Sequence, residues 1–109
     1  MSIHFDLKRS GSQFMFNLKA ANHETVLTSE RYVSKHSAQE GIASVKANAP
    51  SDARYKKLTA TDKSPYFILT AANGETIGTS ETYASVAARD HGMALVKSAA
   101  HEAVIKDST

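Results

Sequence analysis

The chain repeats itself. Residues 20–49 read AANHETVLTSERYVSKHSAQEGIASVKANA, and residues 71–100 read AANGETIGTSETYASVAARDHGMALVKSAA, with no gap between the aligned copies. About half of the paired positions are identical, among them Asn22/Asn73, Ser29/Ser80, Glu30/Glu81, Tyr32/Tyr83, Gly41/Gly92 and Lys46/Lys97. A fixed internal period means one supersecondary unit used twice. The chain has 109 residues, so each unit of about 50 would be marginal alone and the two should share a single core. The expectation is one domain over 1–109, made of two pseudo-symmetric repeats at about 1–51 and 52–109.

Each copy has the same order of elements. Ile3–Lys8 alternates apolar and polar residues, the period of a half-buried strand, and Arg9–Ser12 is a turn. Phe14, Phe16, Leu18 and Ala20 line one face of a second strand, with Met15, Asn17 and Lys19 on the other. A third strand spans Glu24–Thr28. The hairpin before it allows two registers in the second copy. A two-residue Asn73-Gly74 loop pairs Leu69 with Gly78. A three-residue loop, a type I turn with Gly74 in the left-handed region, pairs Leu69 with Ile77 and buries more apolar surface, so it is the expected one. His23 takes the place of Gly74 in the first copy, and histidine tolerates positive φ better than most residues.

Helices follow. Ser34 and Ser85 stand as N-caps. Ala38, Ile42, Val45 and Ala49 make an apolar stripe that Met93, Val96 and Ala100 repeat, while Lys35, Gln39, Glu40 and Lys46 face water. Pro50 ends the first helix. Arg54–Thr59 and the segment from Pro65 restart the pattern, and Ala103–Lys106 reads as a short last strand. A βββα order repeated with a terminal strand indicates an α+β fold with an antiparallel sheet and the helices packed on one face.

The doubled AAN-x-ET segments, the TSE-x-Y after each, the mid-helix glycines and the closing VIKDST resemble the YegP-like family of small bacterial proteins over essentially the whole chain. That resemblance implies a continuous sheet built by both repeats, with C-terminal strands exchanged between them. It implies no activity, because the family is uncharacterised. His23 departs from the family's usual glycine, a matter of turn geometry.

Composition narrows function by exclusion. A net charge of +2 does not by itself call for nucleic acid or anionic lipid, and no cysteine is available for disulfide or thiolate chemistry. No apolar run approaches membrane-spanning length, and the start lacks the pattern of a secretory leader, so the expected location is the cytoplasm. His4, His23, His36, His91 and His101 show no zinc spacing; His36 and Glu40, one turn apart, are not reproduced in the second copy. No nucleophile elbow or triad is recognisable. No catalytic residue, metal or cofactor is assigned, and the chain reads as a non-enzyme.

Three groups remain as binding candidates. Tyr32 and Tyr83 sit in the doubled Ser-Glu-x-Tyr segments, where a ligand grip competes with a purely geometric strand-to-helix connection. Arg54, Lys56 and Lys57 form the densest basic stretch around Tyr55, which suggests a nucleic-acid-associated accessory role; lysines also protect exposed strands from unwanted pairing. Finally, Met15, Asn17 and Lys19 point to the sheet face away from the helices, and their counterparts Tyr66, Ile68 and Thr70 are more apolar. That face either offers a patch to a protein or small-molecule partner or is covered by another part of the fold. The leading expectation is a monomeric interaction or ligand-binding module.

Overall fold

A computed structural model describes residues 3–109. The strands are β1 (His4–Ser10), β2 (Gln13–Lys19), β3 (Thr25–Thr28), β4 (Tyr55–Thr59), β5 (Pro65–Thr70), β6 (Thr76–Ser80) and β7 (Val104–Asp107). Helix α1 (Lys35–Asn48) follows β3, and α2 (Val86–Ala99) follows β6. All seven strands form one sheet in the order β4-β5-β6-β3-β2-β1-β7. The α+β architecture, the tandem units and the continuous sheet are as the sequence indicates.

Two details differ. Pairing of β1 with β7 is parallel, so the sheet is mixed. Exchange of C-terminal strands also runs one way only. After α1 the chain makes one turn of 3-10 helix at Asp52–Arg54 and enters β4 directly, leaving no residues for a strand equivalent to β7.

Helix starts follow their caps. The Ser34 hydroxyl accepts from the Ser37 N–H at 3.0 Å, and the Ser85 hydroxyl from the Ala88 N–H at 3.1 Å. Each satisfies an amide the first turn leaves free. Both helices lie over the sheet face that carries Phe5, Leu7, Phe16, Leu18, Phe67 and Leu69, all fully buried. In the α2 stripe Arg89 stands where α1 has Ala38, and both are buried. Arg89 lies against Asp90, 3.1 Å from its carboxylate.

The hairpin register corrects the expectation. The turn is the three-residue type, with the Gly74 N–H bonded to the Ala71 carbonyl at 2.9 Å and Gly74 at φ +88°. His23 adopts φ +69° in the same role. Immediately after the turn, however, each β-ladder shifts by one residue, so Leu69 pairs with Gly78 and Thr70 with Thr76. Ile77 is the extra residue of a β-bulge and is still buried. Val26 does the same in the first repeat. The bulge defeats a register inferred from matching apolar pairs, because it buries Ile77 without an opposing partner.

The repeats meet where β3 pairs with β6. Thr28 faces Thr79, its own repeat counterpart, so the pseudo-twofold axis passes through this pair. Beside it the symmetry is broken. Leu27 and Gly78 are counterparts, and a Cβ on Gly78 would come within 2.6 Å of the Leu27 Cγ. One large and one absent side chain fill a space too small for two leucines. Gly78→Leu should therefore destabilise by about 2 kcal/mol or more through overpacking, and Leu27→Gly by about 3 kcal/mol or more through a cavity. The double variant Leu27→Gly/Gly78→Leu should regain much of the combined loss in chemical denaturation. Simple additivity of the two losses would show that the packing is not shared.

Candidate functional site

The Ser-Glu-x-Tyr segments lie where β3 and β6 leave the sheet. Ser29 Oγ accepts from the Phe16 N–H at 2.9 Å and donates to the Glu30 carbonyl at 2.6 Å. Ser80 does likewise with Phe67 and Glu81. A side chain thus replaces one rung of the backbone ladder and lets the strand turn away. Three residues on, Tyr32 re-engages the sheet by mutual backbone bonds with Phe14, and the Tyr83 N–H reaches the Pro65 carbonyl.

Each tyrosine then runs under its helix. Tyr32 stacks on Phe16 with centroids 6.2 Å apart, and Tyr83 on Phe67 at 6.4 Å. A side chain at Gly41 would overlap the Tyr32 hydroxyl, and one at Gly92 would overlap that of Tyr83. This accounts for two mid-helix glycines that cost helix propensity. Burial raises both phenols above their ordinary pKa. The charges of Glu30 and Glu75 add to this at Tyr32, and those of Glu81 and Glu24 at Tyr83. In both cases one carboxylate belongs to the other repeat.

Around Tyr83 these elements enclose an open groove of about 860 Å³. Its apolar wall comes from Val26, Ala88, Gly92 and Leu95, and its acidic rim from Glu24 and Glu81. His91 also lines it. The hairpin joining β2 to β3 supplies one bank and α2 the other, so the groove spans both repeats. At the related positions of the first helix, Ser37, Glu40 and Ser44 replace Ala88, His91 and Leu95. The second-helix bank is therefore the more apolar. Sequence comparison contains these differences, but not that they border one groove with Glu24.

Other candidates are placed elsewhere. Ile68 and Tyr66 lie half-buried on the sheet face away from the helices, in a shallow depression of about 610 Å³ that also includes Glu30, Leu58, Glu75 and Thr79. Neither helix covers that face here. Met15 is half-buried on β2, opposite Lys8 and two strands beyond β6, so it is not brought to Tyr66. Asn17 is buried and donates to Thr28 Oγ1 at 3.0 Å.

The basic segment is dispersed. Arg54 Nε donates to Asn48 Oδ1 at 3.1 Å. Lys56 and Lys57, being consecutive in β4, point to opposite faces, and Lys57 lies 3.8 Å from Asp90. Tyr55 packs on Phe67, and its hydroxyl donates to the Ala49 carbonyl at 2.6 Å. It occupies the place of Phe5 in the first repeat, since Tyr55 pairs with Leu69 as Phe5 does with Leu18. A base has no free ring here on which to stack. Among the described residues, no group of three His, Cys, Asp or Glu side chains is gathered as a metal site, and no helix is long and apolar enough to cross a membrane.

Burial also raises the Tyr55 phenol strongly, helped by Asp52. A phenol whose folded pKa exceeds its unfolded value of 10.0 contributes stability that is complete below pH 10 and is lost as pH rises further. Denaturation midpoints should thus fall progressively above pH 10. Tyr55→Phe should lower stability by about 1 kcal/mol at neutral pH through the lost hydrogen bond and should flatten the alkaline decline. An unchanged alkaline slope would mean that Tyr55 ionises without leaving the core.

The model of a family described as "Domain of unknown function (DUF1508)" matches twice, at residues 10–55 and 60–107. A UPF0339 protein of Bordetella pertussis is 64% identical over 109 residues, covering 100% of this chain and 98% of that protein. The UPF0339 protein YegP of Escherichia coli K12 is 50% identical over 102 residues, 94% of this chain and 93% of its own. Two solution NMR structures share the fold. A UPF0339 protein of Shewanella oneidensis has a TM-score of 0.91 at 48% identity, covering 98% of this chain and 92% of that one. YegP of E. coli, titled a protein of unknown function, has 0.92 at 48%, covering 100% and 95%. The chain belongs to this DUF1508 family of YegP-like bacterial proteins, whose function is unknown.

Proposed function

We propose that the protein is a monomeric, non-enzymatic binding module of the cytoplasm, and that its ligand site is the groove between the β2–β3 hairpin and α2. The ligand class is a small molecule with an apolar body and a single cationic group. The supporting observation is the pairing of an apolar wall with two carboxylates from different repeats, both close enough to raise the Tyr83 phenol. An apolar concavity with a few convergent polar groups is the usual form of a small-ligand site. A cation there meets Glu24 and Glu81 while its carbon skeleton lies along Leu95 and Val26. Monomeric behaviour is supported by a sheet that the two repeats of one chain already join across β3 and β6.

Phenethylamine is a suitable probe, with phenethyl alcohol as its uncharged counterpart. In an NMR titration the amine should shift the Ala88, Gly92 and Leu95 amides and saturate at millimolar concentration. Glu81→Gln and Glu24→Gln should each weaken it by roughly five- to tenfold, as expected for loss of a charge-assisted contact. Equal shifts from the alcohol, or shifts confined to other surfaces, would dismiss the assignment. Sedimentation at micromolar concentration should give a single monomeric species.

A further inference from the structure

The two ends of the sheet are built from equivalent strands but finished differently. At one end β7 runs parallel to β1, with Phe5 beside Ile105, Asp6 beside Lys106 and Leu7 beside Asp107. The pairing extends beyond β7, because the Leu7 carbonyl accepts from the Ser108 N–H at 2.8 Å. Lys35 at the start of α1 holds Asp107 at 2.5 Å. At the other end β4 is the outermost strand, and among the described residues nothing is paired beyond it.

Register makes the two ends comparable residue by residue. Tyr55, Lys56 and Lys57 occupy the places of Phe5, Asp6 and Leu7, as their partners Leu69, Ile68 and Phe67 correspond to Leu18, Asn17 and Phe16. The Phe67 N–H is bonded to Ser80 Oγ, on the β6 side. Directly opposed antiparallel residues point their backbone groups either toward each other or both away. The N–H and carbonyl of Lys57 therefore project from the open edge, as those of Leu7 project toward β7. A ready-made parallel pairing site exists at β4.

Charge selects its occupant. Where Asp6 faces Lys106, the equivalent residue is Lys56, so the sign of the edge is inverted. Lys57 is also at this edge, and the buried Arg89 lies behind it against Asp90. Three cations and one carboxylate leave the edge positive. A second copy's β7 would bring Lys106 against Lys56, a like-charge cross-strand pair, which is unfavourable. We propose that the open edge of β4 is a docking site for a β-strand of a partner protein. That strand runs parallel to β4, with an apolar residue beside Tyr55 and acidic residues beside Lys56 and Lys57. Lys56, which would repel Lys106 of a further copy of this chain, accepts an acidic residue instead, Lys57 accepts a carboxylate in either case, and the added strand makes an eight-stranded sheet.

The probes are two peptides differing at one residue: Ala-Val-Ile-Glu-Asp-Ser-Thr, and the chain's own Ala-Val-Ile-Lys-Asp-Ser-Thr. In NMR titrations of the intact protein at low salt, the acidic peptide should perturb the Lys57 and Thr59 amides. It should bind roughly five- to tenfold more tightly than the native peptide, the size of one reversed cross-strand charge pair. Lys56→Glu, an exposed substitution, should invert that preference without unfolding the protein, and added salt should diminish it. Equal binding of both peptides at β4, or tighter binding of the native one, would overturn the acidic-partner proposal. Perturbation confined to β1 and β7, or none at millimolar peptide, would overturn the docking site itself.

Discussion

The structure depends on a single pair of short strands. β3 and β6 join two three-stranded units into one sheet, and they do so through a pair of counterpart threonines on the pseudo-axis. A junction on an axis forces each residue near it to confront its own equivalent. Identical large side chains then collide and identical small ones leave a void. Leu27 against Gly78 resolves this by making the repeats unlike. A side chain that would be a mild substitution elsewhere here decides whether the two halves share a core.

That constraint sets the character of the flanking segments. Once β3 and β6 are fixed at the centre, the chain must leave the sheet just beyond them and climb to the helices. Ser29 and Ser80 make the exit by substituting hydroxyls for backbone partners, and Tyr32 and Tyr83 brace the climb against Phe16 and Phe67. The glycines under the helices are the counterpart of that bracing. The most repeated residues are thus accounted for by geometry common to both halves. Charges contributed across the axis, Glu24 toward Tyr83 and Glu75 toward Tyr32, are where the halves meet chemically.

Much of this was legible in the sequence. The gapless duplication predicted the element order, the caps at Ser34 and Ser85 and the positive φ of His23, and the resemblance to the YegP-like family implied a single sheet. The bulges were not legible, because Val26 and Ile77 are apolar and buried whether or not a residue lies opposite. Parallel pairing of β7 was not either, since a four-residue strand carries no signal of direction. The role of Tyr55 was obscured by a one-residue change of offset. The loop before β2 is one residue shorter than the loop before β5, so alignment by 51 places Lys56 rather than Tyr55 beside Phe5. Its neighbours then read as a basic patch with an aromatic, whereas the fold buries the ring and parts the lysines. The groove escaped for a different reason: its banks are more than 50 residues apart, and periodicity says nothing about which elements become neighbours across an axis.

Covalent duplication has a physical consequence at the sheet edges. Two separate copies could each extend a C-terminal strand to the other and close both ends. In the fused chain the residues after α1 must instead begin the second unit, so β4 takes the length that a crossing strand would need. The strand that returns, β7, covers β1. An edge left bare by this arithmetic is a hazard unless it is charged, and Lys56 and Lys57 lie there with hydrocarbon stems that cover the strand and ammonium groups that repel similar edges. Loss of symmetry at the axis and at the edges therefore has one origin: joining the repeats into one chain frees equivalent positions to differ. Leu27 and Gly78 use that freedom for packing, and Asp6 and Lys56 use it for the sign of charge.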